Sequence, residues 1–411
     1  MLPGWIQPAS PPQLGAAAAV LWPDASVSEV ETGATPRPRA YVALPSLRQP
    51  RLLLPAGHRH AAARAVQLFS GRHCVDTRLR AGLVSAALNY GGTGLLRGRL
   101  SVHAGIERML TQILGQELVL AVHLGPPRAN RKPVLALLTP DGRPAGFGKL
   151  GVNGLTDRLV RAETAALRQL ASADLPDVTV PRVLHAGMWN GHPLLVQEPL
   201  PVCSQTEVPN RGQLLRCVTQ IAGMSGVKHR PLANSPYLAG LCERLSGLAD
   251  LPETEALRSA LARLPAVSLA FGAWHGDLTR WNIASTPRRD FVWDWERLTE
   301  DVPVGFDALH FSLTEAVRGD ARRGAMAWLR TGASLLNAPE LARLGVCPEH
   351  TRVVMTLYLV ELASRYLHDG QAQAGGRLGQ LNTWLLPALS HLAGAAVPGP
   401  RPHDSVRALP D

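Results

Sequence analysis

The sequence is poor in lysine. Of its 42 lysines and arginines, only three are lysines, namely Lys132, Lys149 and Lys228. An ammonium group is a compact point charge, whereas a guanidinium group is a wide planar fork, so the two are not interchangeable at a tight phosphate site. A lysine retained amid so much arginine is therefore a candidate for phosphate binding, although some lysines would remain by chance alone.

Cysteine is also scarce, and its pattern excludes two common kinds of site. The five cysteines are odd in number, are scattered and form no C-x-x-C pair, so neither a zinc site nor a disulfide framework is indicated. No apolar run is long enough to span a bilayer, and the N-terminus has neither a basic leader nor an uninterrupted apolar stretch. We therefore expect a cytoplasmic protein without a membrane span.

The chain lacks a nucleic-acid-binding signature as well. Its net charge of +10 is compatible with an anionic partner such as a nucleotide. The cationic residues are nevertheless spread along the whole sequence, no basic block alternates with aromatic residues, and no helix-turn-helix pattern occurs. We therefore expect no nucleic-acid partner.

The length and apolar content allow a large folded protein. With 411 residues, of which 46% are hydrophobic, the chain can bury a full core and is expected to form two or three units. Residues 1–108 indicate an accessory α/β region, with strand-like runs at 41–44 and 51–54 and helical patterns at 58–69 and 77–88. Its glycine-rich segment, 91–98, resembles a phosphate-binding loop, but no clear strand precedes it, so a linker is favoured.

Residues 109–200 predict a small lobe that begins with three antiparallel strands. Apolar runs at 118–124 and 134–138 are followed by a third run that ends at Lys149, and the Pro-Asp-Gly sequence before this third run is a hairpin signal. The loop between the first two strands carries Arg128, Arg131 and Lys132. We expect the charges and backbone amides of this loop to face phosphates.

Lys149 and Glu163 are predicted to form a pair. Lys149 ends the third strand, and the following helix, at 157–170, has an apolar stripe with helical spacing and carries Glu163. A strand lysine with a glutamate on the next helix is the pair that fixes the α- and β-phosphates in kinase-like folds. Residues 181–201 then predict two strands that end in a hinge around Glu198, where exposed backbone groups could contact an adenine edge. Residues 201–395 indicate a mainly helical lobe, and 396–411 a disordered tail.

The stretch 274–296 carries the residues for chemistry. His275, Asp277 and Asn282 occur in the order His-x-Asp-x-x-x-x-Asn, and Asp294 follows a short apolar run of strand character. Phosphoryl transfer requires little covalent chemistry from the protein, which positions the acceptor hydroxyl and holds magnesium against the phosphates. We expect Asp277 to accept the hydroxyl proton, and Asn282 and Asp294 to supply the oxygen ligands that magnesium prefers.

These motifs resemble those of the aminoglycoside phosphotransferase and choline kinase family. His275-Gly276-Asp277-Leu278 with Asn282 is similar to the family's catalytic-loop motif, Asp294-Trp295-Glu296 to its metal-binding segment, and Gly305 with Asp307 to a later motif. The resemblance covers about residues 109–395. It implies an α+β, bilobal, protein-kinase-like fold, in which a small antiparallel sheet and a helix form the N-lobe and mainly helices form the C-lobe.

The resemblance also implies an activity and the roles of single residues. The activity is the ATP-dependent transfer of the γ-phosphoryl group, with Mg²⁺, to a hydroxyl of a small molecule such as a sugar, an amino alcohol or an antibiotic. By position, Asp277 is the base, Asn282 and Asp294 are the magnesium ligands, and Lys149 with Glu163 binds the phosphates. The resemblance gives His275 and Asp307 supporting roles in the loop.

The sequence departs from the family pattern near the acceptor. Arg280 replaces the proline of the loop motif, Trp281 replaces a small residue before Asn282, and the phosphate loop contains little glycine. The helical lobe has a balanced mixture of charges, whereas an aminoglycoside would require a cleft lined by carboxylates. The balance of charges favours a neutral or anionic acceptor, such as a sugar or a glycan precursor.

Two other functions remain open at this point. The first is a catalytically weak nucleotide-binding module that acts through protein partners, although such a module does not need a base at Asp277. The second is a metal-dependent hydrolase that uses His275 and Asp277. This alternative lacks the additional histidine or carboxylate ligands that such sites require.

Overall fold

The computed structural model describes residues 12–23, 28–30, 40–70, 75–91, 99–102, 105–202 and 207–394. The glycine-rich segment after Gly91 and the predicted tail at 396–411 lie outside these ranges. Across the described ranges, none of the helices combines the length and apolar character needed to cross a membrane.

Helices and strands alternate in the first half of the chain, and helices dominate the second half. The helices are α1 (Pro12–Leu21), α2 (Arg59–Ser70), α3 (Val75–Asn89), α4 (Ile106–Leu114), α5 (Gly154–Leu170), α6 (Arg211–Gly223), α7 (Pro236–Ser246), α8 (Pro252–Ala262), α9 (Phe306–Ala316), α10 (Ala321–Leu336), α11 (Pro339–Ala342), α12 (Thr351–Asp369) and α13 (Leu385–Ala393). The strands are β1 (Ser28–Val30), β2 (Ala40–Leu44), β3 (Leu52–Pro55), β4 (Arg99–Ser101), β5 (Val119–His123), β6 (Val134–Leu138), β7 (Pro144–Leu150), β8 (Val178–Thr179), β9 (Val183–Trp189), β10 (His192–Gln197), β11 (Lys228–Pro231), β12 (Ser268–Trp274), β13 (Ile283–Ser285), β14 (Asp290–Val292) and β15 (Thr299–Pro303).

The N-terminal half is built on one antiparallel sheet. In the described part of the chain it has nine strands, in the order β1-β4-β2-β3-β5-β6-β7-β10-β9. Successive side chains of a strand point to opposite faces. Accordingly, Leu120 and Val122 of β5 join one apolar cluster, which includes residues of α1 and α4. Val119 and Ala121 join another cluster, which includes residues of α2. Both faces at β5 are therefore covered, which explains its continuous apolar sequence.

The sheet runs through the boundary predicted at residue 108. Leu52 pairs with His123 and Leu53 with Val122, so β3 and β5 are neighbours in one sheet. The N-terminal strands therefore extend the sheet of the predicted N-lobe. Local sequence patterns indicate the strands themselves but not this pairing, because it joins segments that are far apart in the chain.

Helix α5 lies against the end of this sheet and positions Glu163. It begins with a capping box, in which the Asn153 side chain accepts the Thr156 N–H (2.9 Å) and the Thr156 hydroxyl accepts the Asn153 N–H (3.0 Å). Its buried face includes Leu159 and Leu167, together with Glu163. The carboxylate is therefore directed at the sheet, toward β7.

The C-terminal half is mainly helical and has a separate apolar core around α12. Two small sheets flank the catalytic segment: β12 lies between β11 and β15, and β13 pairs with β14, which also pairs with β8. The sequence analysis predicted the helices but not β11, β12 or β15. The predicted α+β, bilobal class is confirmed by this combination of an antiparallel sheet with α5 and a helical lobe.

Candidate active site

The catalytic loop, residues 275–282, connects β12 to β13. Asp307 at the start of α9 holds its beginning, because its carboxylate accepts the backbone N–H groups of His275 (2.7 Å) and Gly276 (3.2 Å). Gly276 has a φ of 84°, and a Cβ at this position would lie 2.4 Å from the carbonyl oxygen of Arg297. Glycine is therefore required at the turn that presents Asp277.

His275 is buried and supports the loop from inside. Its Nδ1 accepts the N–H of Asp277 (3.1 Å), so the ring proton is on Nε2, which donates to the carbonyl oxygen of Trp293 (3.0 Å). Burial lowers the pKa of His275 to about 4, so the ring is neutral at neutral pH. His275 thus ties Asp277 to the residue that precedes Asp294.

Asp277 lies at the centre of a hydrogen-bond network. Its Oδ2 accepts the side-chain amide of Asn282 (3.2 Å), and its Oδ1 lies 3.2 Å from Nε2 of His310 on α9. Burial raises the pKa of Asp277, but the hydrogen bond from His310 and the nearby charge of Arg365 outweigh this effect and lower the pKa. The carboxylate is therefore an anion at neutral pH. Its side chain is 31% exposed, so a small molecule can reach it.

His310 is a site residue that the sequence analysis missed. Because a carboxylate only accepts hydrogen bonds, Nε2 of His310 carries the proton, and Nδ1 accepts the hydroxyl of Tyr358 at 3.0 Å. Both side chains are fully buried. The single available signal is a histidine within an otherwise apolar stretch of a helix. This signal is weak, because its partner Asp277 is remote in the sequence.

Asp294 joins the two lobes. Its Oδ1 lies 2.7 Å from Nζ of Lys149, which also lies 2.5 Å from Oε1 of Glu163. Asp294 follows β14 with a φ of 71°, a left-handed conformation that is uncommon outside glycine. This backbone turns the carboxylate toward the sheet. The structure therefore brings together Lys149, Glu163 and Asp294, which the sequence analysis predicted as one site.

The charges at this junction stabilise one another. Burial lowers the pKa of Lys149, but the carboxylates of Asp294 and Glu163 outweigh it and raise the pKa. Burial acts to raise the pKa of Asp294, yet the neighbouring Lys149 and Lys132 hold it well below the usual range. For Glu163, burial prevails over the attraction of Lys149, and its pKa is raised. Lys149 and Asp294 are thus charged at neutral pH.

The phosphate loop, residues 124–133, is docked on the C-lobe through Glu296. Lys132 forms a buried ion pair with Glu296, and the side-chain amide of Asn130 donates to Oε1 of the same carboxylate (3.3 Å). Nζ of Lys132 also lies 4.0 Å from Oδ1 of Asp294. The sequence analysis mentioned Glu296 only as part of a motif. Its contact with Lys132 joins the loop to the junction of Lys149 and Asp294.

The two arginines of the phosphate loop differ from each other. Arg128 is exposed, so its charge is available to an anion. Arg131 was expected to face phosphates, but its guanidinium donates to the carbonyl oxygens of Leu124 (2.5 Å) and Pro50 (3.5 Å). It holds the base of the loop against the residues before β3.

Glu198 at the predicted hinge is engaged with Arg182. Its Oε2 accepts Nε of Arg182 (2.6 Å), and its backbone N–H donates to the Arg182 carbonyl oxygen (2.9 Å). This N–H and carboxylate are therefore occupied within the protein. The neighbouring Gln197 is buried, and its Oε1 has no hydrogen-bond partner. The structure does not bring Glu198 into contact with Lys149 or Asp294.

The residues near Asp294 have the chemistry for a divalent cation. Carboxylate oxygens of Glu163, Asp294 and Glu296 lie within 4.8 Å of one another. The β13–β14 hairpin also brings Asn282 to Asp294, because the N–H of Trp293 donates to the carbonyl oxygen of Asn282 (3.1 Å). Hard oxygen donors suit magnesium. The predicted ligands Asn282 and Asp294 therefore fit this ion by type, and the hairpin brings their backbones together.

A strand lysine is paired here with a helix glutamate and with an aspartate that follows the Asp-Asn loop, which is the set of groups that phosphoryl transfer uses in kinase-like folds. Residues 151–307 match the sequence model of a family described as the phosphotransferase enzyme family. The match covers less than half of the chain, and over this segment the predicted resemblance to phosphotransferases is confirmed. The matched segment contains Glu163, Asp277, Asn282, Asp294 and Asp307.

Solved structures of phosphotransferases are similar to the chain at low sequence identity. A thermostable aminoglycoside phosphotransferase APH(4)-Ia in ternary complex with ADP and hygromycin B is 15% identical, with a TM-score of 0.45, over 70% of this chain and 98% of that chain. A choline/ethanolamine kinase family protein from Mesorhizobium loti is 16% identical, with a TM-score of 0.32, over 67% of this chain and 92% of that chain. No curated protein sequence matches the chain significantly.

Proposed function

We propose that the protein transfers the γ-phosphoryl group of ATP to a hydroxyl of a small molecule in a magnesium-dependent reaction. The observation that carries the proposal is the 2.7 Å contact between Lys149 of the sheet and Asp294 of the helical lobe. It supports the proposal because a lysine and a carboxylate, groups that suit phosphate and magnesium, meet next to the loop that contains Asp277. A nucleotide-binding module has no use for this second carboxylate and base.

The nucleotide side of the site is formed by both lobes. Lys149, held by Glu163, binds the α- and β-phosphates, while Arg128 and Lys132 supply positive charge from the phosphate loop. Asn282 and Asp294 would hold magnesium, which would supply positive charge against the phosphates. At the hinge, the carboxylate and the backbone N–H of Glu198 are both bound to Arg182, so we assign neither group to the nucleotide.

Asp277 is the base for the acceptor hydroxyl. His310 donates to Oδ1 and the Asn282 amide donates to Oδ2, so both oxygens are fixed in direction. The anionic state of Asp277 at neutral pH leaves it able to accept a proton as the hydroxyl attacks. His275 and Asp307 hold the loop in the conformation that keeps Asp277 at the cleft. They act on the chemistry only through this loop.

A screen for ADP release tests the proposal. The enzyme is incubated with ATP and a panel of hydroxylated metabolites, with and without magnesium, and the Asp294→Ala variant is the blank. We expect acceptor-stimulated release that requires magnesium and is lost in the blank. ADP release at the wild-type rate in the Asp294→Ala blank, or in the presence of a magnesium chelator, would contradict the proposal.

His310 gives a further prediction. Because its hydrogen bond lowers the pKa of Asp277, His310→Asn should raise that pKa and move the acidic limb of the pH profile of kcat to higher pH. We expect kcat at neutral pH to fall roughly 10- to 100-fold, which is the scale of one hydrogen bond to a charged group. Tyr358→Phe, which keeps the ring and removes only the hydroxyl that binds Nδ1, should move the limb in the same direction by less. An acidic limb at the wild-type position in both variants would show that His310 has only a packing role.

A further inference from the structure

Four side chains form a compact charged cluster beside Asp277, which we call the acceptor patch: Arg280, Trp281, Glu315 and Arg318. The first two belong to the catalytic loop, between Asp277 and Asn282. Glu315 lies five residues after His310 on α9, and His310 contacts Asp277. At a rise of 1.5 Å per residue, Glu315 is roughly 7 to 8 Å along the helix from that contact.

The acceptor patch is formed by other elements than those that carry the proposed phosphate-binding lysines. Its contacts are made within the catalytic loop, with α9 and with the connection from α9 to α10. Lys149 and Lys132 instead belong to a strand and a loop of the N-lobe sheet. A ligand that contacts both Asp277 and the acceptor patch is therefore the acceptor and not the nucleotide.

The patch carries more positive than negative charge. Nη1 of Arg280 (3.3 Å) and Nη1 of Arg318 (3.4 Å) both bind the same oxygen, Oε2 of Glu315. One carboxylate thus pairs with two guanidinium groups, so the three side chains together carry a net charge of +1. Nε of Arg280 is buried and has no hydrogen-bond partner. A guanidinium presents its N–H groups as a planar fork that fits carboxylate and phosphate, so the patch has spare donors for an anion.

Trp281 adds an apolar surface to this charge. Its side chain is 37% exposed, although tryptophan is a large apolar residue. The guanidinium carbons of Arg280 and Arg318 lie 5.5 and 5.6 Å from its ring centroid, within the range of a cation–π contact. The indole therefore keeps the two arginines at the mouth of the site. Its exposed part offers a flat contact for the body of an acceptor.

The carboxylates of the helices around the patch are mostly paired with arginines. Glu315 is shared by two arginines, Glu361 pairs with Arg244, and Asp369 pairs with Arg297. Asp320 is exposed and caps α10 by accepting the Arg323 N–H. An acceptor with several ammonium groups would therefore meet more positive than negative charge at the patch itself.

We infer that the acceptor is a hydroxylated small molecule with one anionic group, a phosphate or a carboxylate, and that the acceptor patch binds this group. Arg280 and Arg318 bind the anion, while the exposed edge of Trp281 contacts the neighbouring ring or carbon chain. The inference rests on the proposed phosphotransferase activity and adds the class of its acceptor. A sugar phosphate or a sugar acid has the required combination of hydroxyls and charge.

Matched acceptors test the inference. Magnesium-dependent ADP release is measured with glucose, glucuronate, glucose 6-phosphate and an aminoglycoside as separate acceptors. We expect kcat/KM to be roughly 10- to 100-fold higher for at least one anionic sugar than for glucose, and lowest for the aminoglycoside. The comparison of glucuronate with glucose 6-phosphate distinguishes a carboxylate from a phosphate. Preference for glucose or for the aminoglycoside would overturn the inference and leave the proposed function standing.

The Arg318→Gln variant tests whether the acceptor patch causes the preference for an anionic acceptor. Arg318 is partly exposed, so this variant is expected to fold, and it should raise KM for the anionic acceptor roughly tenfold while KM for ATP is unchanged. Arg322→Gln, an exposed arginine on α10 with no place in the patch, is the matched control and should behave as the wild type. A rise in KM for ATP as large as that for the acceptor would assign the patch to the nucleotide and overturn the inference. Absence of magnesium-dependent release with every compound would overturn both the inference and the proposed function.

Discussion

Asp277→Asn is expected to lower kcat by roughly 10²- to 10⁴-fold, the usual loss when a general base is removed. Asparagine has the same shape as aspartate, so it can keep a side-chain contact with His310 through its oxygen and retains the backbone link to His275. It has no negative charge to receive the proton of the acceptor hydroxyl. The loss should therefore appear in kcat, with KM for ATP nearly unchanged.

Binding measurements separate this chemical effect from damage to the loop. Titration with a non-hydrolysable ATP analogue in magnesium should give similar affinities for the wild type and for Asp277→Asn. Thr279→Ser, a conservative change within the same loop, serves as the matched control and should retain activity. If Asp277→Asn kept the wild-type rate of acceptor-dependent ADP release, Asp277 would not be the base.

Asp294→Asn is expected to have the second large effect. Asparagine tolerates the left-handed backbone at a φ of 71°, so this substitution isolates the loss of charge from backbone strain. We expect the magnesium concentration for half-maximal activity to rise by at least roughly 10- to 100-fold, since even residues that only orient metal ligands have effects of this size. Titration of activity with magnesium at saturating ATP measures the change.

Asp294→Ala provides the comparison for this prediction. Alanine removes the same charge, but it adds strain because it is less suited than asparagine to the left-handed conformation. Both variants should show the same weakening of the magnesium response, and the alanine variant should also unfold at a lower temperature. An unchanged magnesium dependence in Asp294→Asn would remove Asp294 from the proposed ligand set.

Much of this site could be predicted from the sequence, because its parts are marked by local patterns. Lys149 ends an apolar strand and Glu163 lies on the next amphipathic helix, so the two were expected to meet. Asp277, Asn282 and Asp294 share one short stretch with characteristic spacing. The structure places Lys149 in contact with both Glu163 and Asp294, at 2.5 and 2.7 Å. The catalytic and metal-binding roles of these residues stay predictions.

The contacts that the sequence did not reveal join segments without a common motif. His310 meets Asp277 from α9, and Glu296 meets Lys132 from the opposite lobe. In the sequence alone, neither His310 nor Glu296 can be distinguished from an ordinary buried or surface residue. The pairing of β3 with β5 was not predicted for the same reason. Many segments have similar apolar patterns, and only tertiary contacts determine which of them pair. Arg131 was assigned to phosphates from its charge alone, although its nearest acceptors are backbone carbonyls.

Two of the departures from the family pattern have a structural account. Arg280 and Trp281 were the positions in the catalytic loop that the resemblance could not explain. In the structure both contact the same group of side chains on and after α9, and Glu315 binds Arg280 and Arg318 together. Their location, between the base and a cationic surface, suits the selection of an acceptor and leaves the phosphate-binding residues unchanged.

The most direct test of the central claim follows the phosphoryl group itself. ATP labelled in the γ-phosphoryl group is incubated with the preferred acceptor, magnesium and either the wild type or Asp277→Asn, and the labelled products are separated. We predict that the wild type transfers the label to a hydroxyl of the acceptor and forms an equal amount of ADP, whereas the variant binds ATP but transfers little label. Label released only as inorganic phosphate, or equal transfer by both proteins, would contradict the account.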